Sequence, residues 1–278
     1  MSLSIGREGA LHLAFAKRDG KTALVERYSR PPLQVMRAIP DAADCLCIYM
    51  LSPTGGVVQH DRYHIDICAG EGTHTLVTTQ SATKVYRMPD GCAQQDIHIE
   101  VERDAIFEFV PDAAILFAEA DFHQRIQVSL QPGALALIFE IILPGRVARG
   151  EHLQFRRYLN QLMVRDAQGL LVYDTADVQP AQVDLKTISR LEGYACWGSA
   201  YLVGDLERRK LDAARFCEAH HLLMQGEGYM GSLSPLYRNG LSARILSHRL
   251  ESIYNAFHAL RSILRTQYLH LPDAPLRK

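Results

Sequence analysis

With 278 residues, 47% hydrophobic and 22% charged, the chain has the composition of an ordinary globular protein and is long enough to bury a large core. Thirty basic residues against 31 acidic ones leave a formal charge of −1, which excludes the strong positive field of a nucleic-acid or anionic-membrane binder. Residues 205–278 carry 11 Lys/Arg and 7 Asp/Glu, a net +4 that leaves −5 on residues 1–204.

The first residues, MSLSIGREGALHLAF, lack the basic start and continuous apolar stretch of a secretory signal. The longest apolar run, 134–143, is interrupted by Glu140 and is too short to span a membrane. A cytoplasmic location is expected. The six cysteines (Cys45, Cys47, Cys68, Cys92, Cys196, Cys217) form no C-x-x-C pair, which argues against a zinc knuckle or disulfide framework and predicts buried free thiols.

In chain order, Leu11, Leu13 and Phe15 alternate with smaller or polar residues, and Asp19-Gly20 supplies the turn of a hairpin returning through 22–28. An extended segment at 33–39 and a buried strand at 45–51 follow. Around 62–68, Tyr63, Ile65 and Ile67 share one face while Arg62, His64, Asp66 and Cys68 share the other, a strand period. Further strands are predicted at 73–79, 83–88, 94–102, 105–110, 115–117, 125–130, 134–143 and 153–158, with a hairpin from 162 to 173. Turn residues arrive every 8–12 positions without helical patterns between them. That succession predicts a mainly β chain of stacked antiparallel sheets, β-solenoid-like or a sandwich, although no period of 20–50 residues suggests a true repeat array.

The last third changes character. Asp205 is a plausible N-cap for a helix over 205–224. Leu246, Leu250, Ile253, Phe257, Leu260 and Leu264 form the apolar stripe of a second, long helix, with Arg244, Arg249, Arg261 and Arg265 opposite, either a solvated face or a partner surface. The expected organisation is one domain over 1–278, a β-rich body at 1–204 and an α-containing part at 205–278. The final prolines are expected to trail off. Trp197 reads as core packing.

Four motifs occur in one order. They are P-x-G-G-x-x-x-x-D at 53–61, H-x-L-x-T-T-x-x-A-T-K-x-Y-R at 74–87, an acidic-aromatic-x-P segment at 108–111 and G-R-x-x-x-G-E at 145–151. Together they resemble the urease accessory protein family UreD, also called UreH, over nearly the whole chain. The resemblance implies a mainly β maturation factor with a pair of C-terminal helices. It also implies binding to a UreF-like accessory protein and, through it, to a UreG-like GTPase, with the assembly docking on apo-urease to install nickel as transient cargo. A polar passage through the β body is the nickel route the resemblance implies. Where the family has a glycine pair before Asp61, this chain has Gln59-His60, and the family's terminal P-R-x-W becomes Pro275-Leu276-Arg277-Lys278.

The residues themselves rank the candidates. Glu140 shares its strand face with Ile138 and Ile142, so an ionised carboxylate there needs a partner, a raised pKa or a water-filled channel. With Asp61 and Lys84 it makes up the candidate nickel passage, Asp61 and Glu140 being the expected transient metal contacts. His60, His64, Asp66, Cys68, Thr78 and Thr79 are weaker candidates. Imidazole, carboxylate and thiolate suit nickel or zinc, but ligands two apart on one strand sit about 6–7 Å apart and more often just cover a solvent face. No tightly bound cofactor is expected. The chain has no G-x-S-x-G, H-E-x-x-H, P-loop or G-x-G-x-x-G motif, so any nucleotide dependence belongs to a partner and no enzyme activity is expected. The alternative is a β-rich carbohydrate-active hydrolase using paired carboxylates among Glu71, Glu108, Glu140 and Glu151.

Overall fold

The computed structural model describes residues 8–41, 44–185, 187 and 190–273; the first seven residues and the terminal Pro275-Leu276-Arg277-Lys278 lie outside them. The first strands are β1 (Glu8–Arg18), β2 (Lys21–Arg30), β3 (Gln34–Val35), β4 (Ile39–Pro40), β5 (Cys45–Leu51), β6 (Arg62–Ala69), β7 (His74–Thr79) and β8 (Thr83–Val85). Next come β9 (Ala93–Val101), β10 (Ile106–Val110), β11 (Ala114–Leu116), β12 (Asp121–Leu130), β13 (Leu135–Leu143), β14 (Arg157–Asp166) and β15 (Gly169–Val178). Then follow β16 (Cys196–Gly204), α1 (Ala213–His220), β17 (Gln225–Gly226), β18 (Tyr229–Pro235), β19 (Gly240–Ser247) and α2 (Leu250–Ile263).

The strands fall into two stacked sheets. Sheet A has the order β15-β14-β12-β9-β6-β1-β2, and sheet B runs β17-β18-β19-β16-β13-β10-β7-β5-β3 with short strands at its margin. From β5 to β14 the chain passes back and forth between the sheets, a solenoid-like winding that agrees with the sequence reading. The pairing corrects it in one respect. Strands such as β6-β9, β9-β12, β7-β10 and β10-β13 are parallel, because each coil returns to its sheet in the same direction; antiparallel pairs close both ends of sheet A and make up the half of sheet B that runs from β13 through β16, β19 and β18 to β17. Arg62 lies beside Gln94, Gln94 beside His123 and His123 beside Leu159, so coils advance by 32, 29 and 36 residues. The repeat escapes a search for one fixed period because its loops vary in length.

One apolar layer lies between the sheets, with Leu13, Ile65, Ile97 and Ile126 of sheet A against Ile48, Val77, Phe107 and Ile138 of sheet B. A second fills the other face of sheet B, where Leu76, Leu137, Phe139 and Ile141 meet Phe216, Ile253, Phe257 and Leu260 of the helices. Sheet B is therefore covered on both sides. Its central strands β5 and β13 are buried almost throughout and largely apolar, β13 broken by Glu140, whereas β6 of sheet A alternates between buried Tyr63, Ile65 and Ile67 and exposed Arg62, His64 and Asp66.

The C-terminal third departs from expectation at four points. Asp205 accepts from Arg208 N (3.0 Å) in a turn, and the helix is capped by Asp212, which accepts from Ala214 N (3.0 Å) and Arg215 N (3.1 Å). Leu246 and Arg244 belong to β19, since 240–247 also alternates as a strand. Strands β17 to β19 extend sheet B through a region read mainly as helix, beside β16 at the end of the expected β body. Arg261 and Arg265 are 2% and 1% exposed instead of lining a solvated face. The reason is Glu108, itself 2% exposed, which accepts from Arg261 Nε (2.5 Å), from Arg265 Nη1 and from His74 Nε2 (2.7 Å). Burial pushes the Glu108 carboxyl up, but the His74 hydrogen bond and the Arg261 and Arg265 charges outweigh it and hold the group well below the usual carboxylate range. Gly198 lets α2 approach β16 closely, as a Cβ there would lie 2.9 Å from Ile253 and Phe257.

Candidate polar seam between the sheets

Inward-facing side chains between two sheets are expected to be apolar, and most are. One row in each sheet is not. In sheet A, Tyr63, Gln95, Gln124 and Asn160 are register neighbours on four successive strands. Gln95 Nε2 donates to Gln124 Oε1 (3.0 Å), and Gln124 Nε2 donates to Asn160 Oδ1 (3.1 Å). At about 4.8 Å per strand the row spans about 14 Å. In sheet B, Glu140, Ser199, Arg244 and Ser232 are neighbours in the same way.

The rows meet across the gap. Tyr158 O–H donates to Glu140 Oε1, Tyr201 O–H donates to Asp174 Oδ2 (2.5 Å), and Arg244 Nη2 donates to the Tyr201 hydroxyl (2.8 Å) and pairs with Asp174 (2.9 Å). A cavity of about 170 Å³ adjoins this network and is lined by Tyr63, Gln95, Gln124, Glu140, Lys84 and Thr79 among others. A second cavity, of about 670 Å³, reaches Ser199, Ser232 and Arg244 from the opposite end of the row. Glu140 and Ser199 are register partners, so the network stands between the two cavities.

Glu140 is the pivot. Burial pushes its carboxyl up to about 7, the Asp174 charge adds to that, and the Tyr158 hydrogen bond and Arg244 oppose it. Glu140 therefore changes charge near neutral pH. It remains half-buried by area because it lines the cavity.

Asp61 stands at the other end. It is 2% exposed and accepts from Tyr63 O–H (2.7 Å) and Val58 N (2.9 Å). Tyr63 thus links it to the cavity. Lys84 lines the mouth while remaining exposed, and its carbonyl accepts from Val57 N (2.8 Å). Thr79 lines the cavity and caps Asp112 N (2.8 Å), whereas Thr78 turns its hydroxyl to Val110 O (2.6 Å). His64, Asp66 and Cys68 sit on the outer face of sheet A, as the solvent-face account of that strand requires. His60, where the family has glycine, takes the left-handed conformation at φ +66° and packs its ring against Gly91.

The structure places Lys84 and Glu140, two of the residues the sequence pointed to, on this cavity and Asp61 behind Tyr63; Tyr63, Gln95, Gln124, Tyr158 and Asn160 were not among the sequence candidates. Gln95, Gln124 and Asn160 fall on the apolar phase of their strands, a violation visible once the registers are known. The remaining motif closes a loop nearby. Arg146 Nε donates to Glu151 Oε2 (2.9 Å), Glu151 Oε1 accepts from Ala118 N (2.8 Å), and the Arg146 guanidinium lies 4.4 Å from the Phe117 ring centre.

A solenoid-like β body crossed by a polar seam, with two helices in its last third and the second held down by a buried carboxylate, defines the mainly β class to which the chain belongs. The model of the UreD urease accessory protein family matches residues 7–278, and the chain belongs to that family. It is 33% identical to the urease accessory protein UreD 2 of Streptomyces griseus, with 99% of this chain and 95% of that one aligned. It is 30% identical to the urease accessory protein UreD of Cenarchaeum symbiosum, over 99% of both chains, and 30% identical to that of Haloarcula marismortui, over 99% of this chain and 92% of that one.

Proposed function

We propose that this protein is a non-enzymatic urease maturation factor that binds a UreF-like protein, a UreG-like GTPase through it, and apo-urease, and that Ni²⁺ crosses its body along the polar seam. The observation that carries the proposal is the row of polar groups between Asp61 and Glu140, hydrogen-bonded in three separate stretches inside an otherwise apolar interior, with a cavity on either side of its far end. Neutral amides and hydroxyls suit a transient cation because they replace part of its hydration without the tight grip of a thiolate or imidazole set. Glu140 supplies one charge that its neighbours keep close to neutralisation, so a dication is attracted there and released again.

Nickel is cargo in this reading and not a resident cofactor. The relatives are named accessory proteins, and no helix among the described residues is long and apolar enough to cross a membrane, which fits work beside urease in the cytoplasm. The hydrolase alternative loses two of its four carboxylates, since Glu108 is committed to two arginines and Glu151 to Arg146. The test is urease activation in a strain lacking this protein, in which urease polypeptide should accumulate without activity. Fully active urease in that strain would sink the proposal, as would carboxylate-dependent turnover of a glycan by the purified chain.

A further inference from the structure

Three groups of His, Cys, Asp and Glu among the described residues bring ligand atoms within 4.8 Å of one another. Cys45, His74 and Glu108 cannot take a cation, because Glu108 is already held by two buried guanidinium groups. Cys68, Glu100 and Glu102 form a thiol beside two carboxylates on the outer face of sheet A, with nothing further to recommend them. Cys92, Asp121 and His123 are different in kind.

Cys92 immediately precedes β9, and Asp121 and His123 open β12, the neighbouring strand, with Ala93 beside Phe122 in register. An imidazole offers an ion only one nitrogen, and with one ligand atom from each residue the three lie within 4.8 Å of one another. Cys92 Sγ lies 3.9 Å from His123 Nδ1, and Asp121 Oδ1 lies 3.0 Å from His123 Nε2. That last pair does not make a hydrogen bond. Both atoms are buried and have no hydrogen-bond partner. The 3.0 Å contact is an ion pair when the imidazole is protonated, and with a neutral imidazole the two atoms need only open to about 3.4 Å to become an edge of a tetrahedral site with ligands about 2.1 Å from an ion. Buried polar atoms left in this way are costly, so a ligand that satisfies both is favoured.

The surroundings hold these groups in place. Arg156 Nε donates to the other carboxylate oxygen, Asp121 Oδ2 (2.8 Å), which fixes the carboxylate and leaves Oδ1 turned to the imidazole. The same guanidinium donates to Met88 O (2.9 Å) and to Gly91 O, pinning the loop that carries Cys92. His60 N donates to Cys92 O (3.1 Å), and Asp90 N donates to Gln59 Oε1 (2.9 Å). Gln59 and His60, which break the family's glycine pattern, thus brace this loop. Second-layer contacts of this kind are what orient metal ligands in built sites.

We infer that Cys92, Asp121 and His123 form a binding site for a borderline divalent cation of the Zn²⁺, Ni²⁺ or Co²⁺ type on the outer edge of sheet A. A thiolate, an imidazole and a carboxylate together select such ions over Mg²⁺ and Ca²⁺. The ligand atoms need to close in by up to about 1 Å, which side-chain rotation supplies. The site is separate from the polar seam, which faces the opposite side of the sheet, and it stands whether or not the seam carries nickel.

Co²⁺ binding to the purified full chain tests the inference, since thiolate ligation gives Co²⁺ a sulfur-to-metal charge-transfer absorption. The band should saturate with Co²⁺, vanish in Cys92→Ser and persist in His64→Ala. Asp121→Asn and His123→Ala should weaken Co²⁺ binding by about 10–100-fold. Absence of the band in the parent, or a band that survives Cys92→Ser, overturns the site. Should Cys92→Ser fail to fold, alkylation of the parent decides instead: Zn²⁺ should protect Cys92 from the reagent more than it protects Cys68, and equal labelling with and without Zn²⁺ overturns the site.

Discussion

Replacing Glu108 by alanine removes the buried anion that pairs with two guanidinium groups, each almost wholly out of water. Arg261 and Arg265 then face each other's charge across the gap, with His74 also losing its acceptor. Breaking a buried ion pair by deleting one partner costs about 3–5 kcal/mol, and with two cations exposed to the loss the upper end applies. Against a total stability of about 5–15 kcal/mol, that is enough to loosen α2 and the turn after it from sheet B. Urea unfolding followed by far-ultraviolet circular dichroism gives the figure directly. A triple variant, Glu108→Leu with Arg261→Met and Arg265→Met, should recover most of the loss because it restores apolar packing without stranded charge. The acid limb supplies a sign. A carboxyl held below its ordinary value contributes fully above about pH 4 and loses that contribution as pH falls further, so the parent should weaken in acid while the triple variant does not. A Glu108→Ala chain within about 1 kcal/mol of the parent would refute the reasoning.

Other expectations follow from single contacts. Glu140→Gln should stabilise the chain at pH 8 by up to about 3 kcal/mol, because a carboxyl raised to about 7 contributes fully below about 4.5 and loses that contribution as pH rises; unfolding at both pH values checks it, and the gain should vanish at the lower one. His60→Val should cost about 1–2 kcal/mol more than His60→Gly, since a β-branched residue resists φ +66°, and melting of the two variants separates them. Asp212→Ala should cost about 1 kcal/mol through loss of the α1 cap, while Asp205→Ala should cost less, which denaturation also measures.

Many of the strands were legible because β6 of sheet A alternates cleanly and β5 and β13 of sheet B are largely apolar. Glu140 stood out for the same reason, a charge on the wrong phase of β13. What stayed hidden depended on register. Gln95, Gln124 and Asn160 each look like one tolerated polar residue until three parallel strands place them side by side. Arg261 and Arg265 look like a solvated helix face until Glu108, more than 150 positions earlier, is set beneath them. Cys92 and His123 are 31 residues apart, one turn of the winding, and no local pattern joins them. Strands β17 to β19 were missed because helix-forming residues flank them and 240–247 fits either period.

The most direct test of the nickel route is urease activation by a chain carrying Glu140→Ala, measured beside the amount of assembled complex. If Ni²⁺ passes along the seam, activation should fall by roughly tenfold, the scale on which loss of one metal-facing carboxylate acts, while the complex with its partners and apo-urease forms as before. Full activation with the complex intact would contradict the route, and loss of the complex together with activation would assign Glu140 to the fold instead.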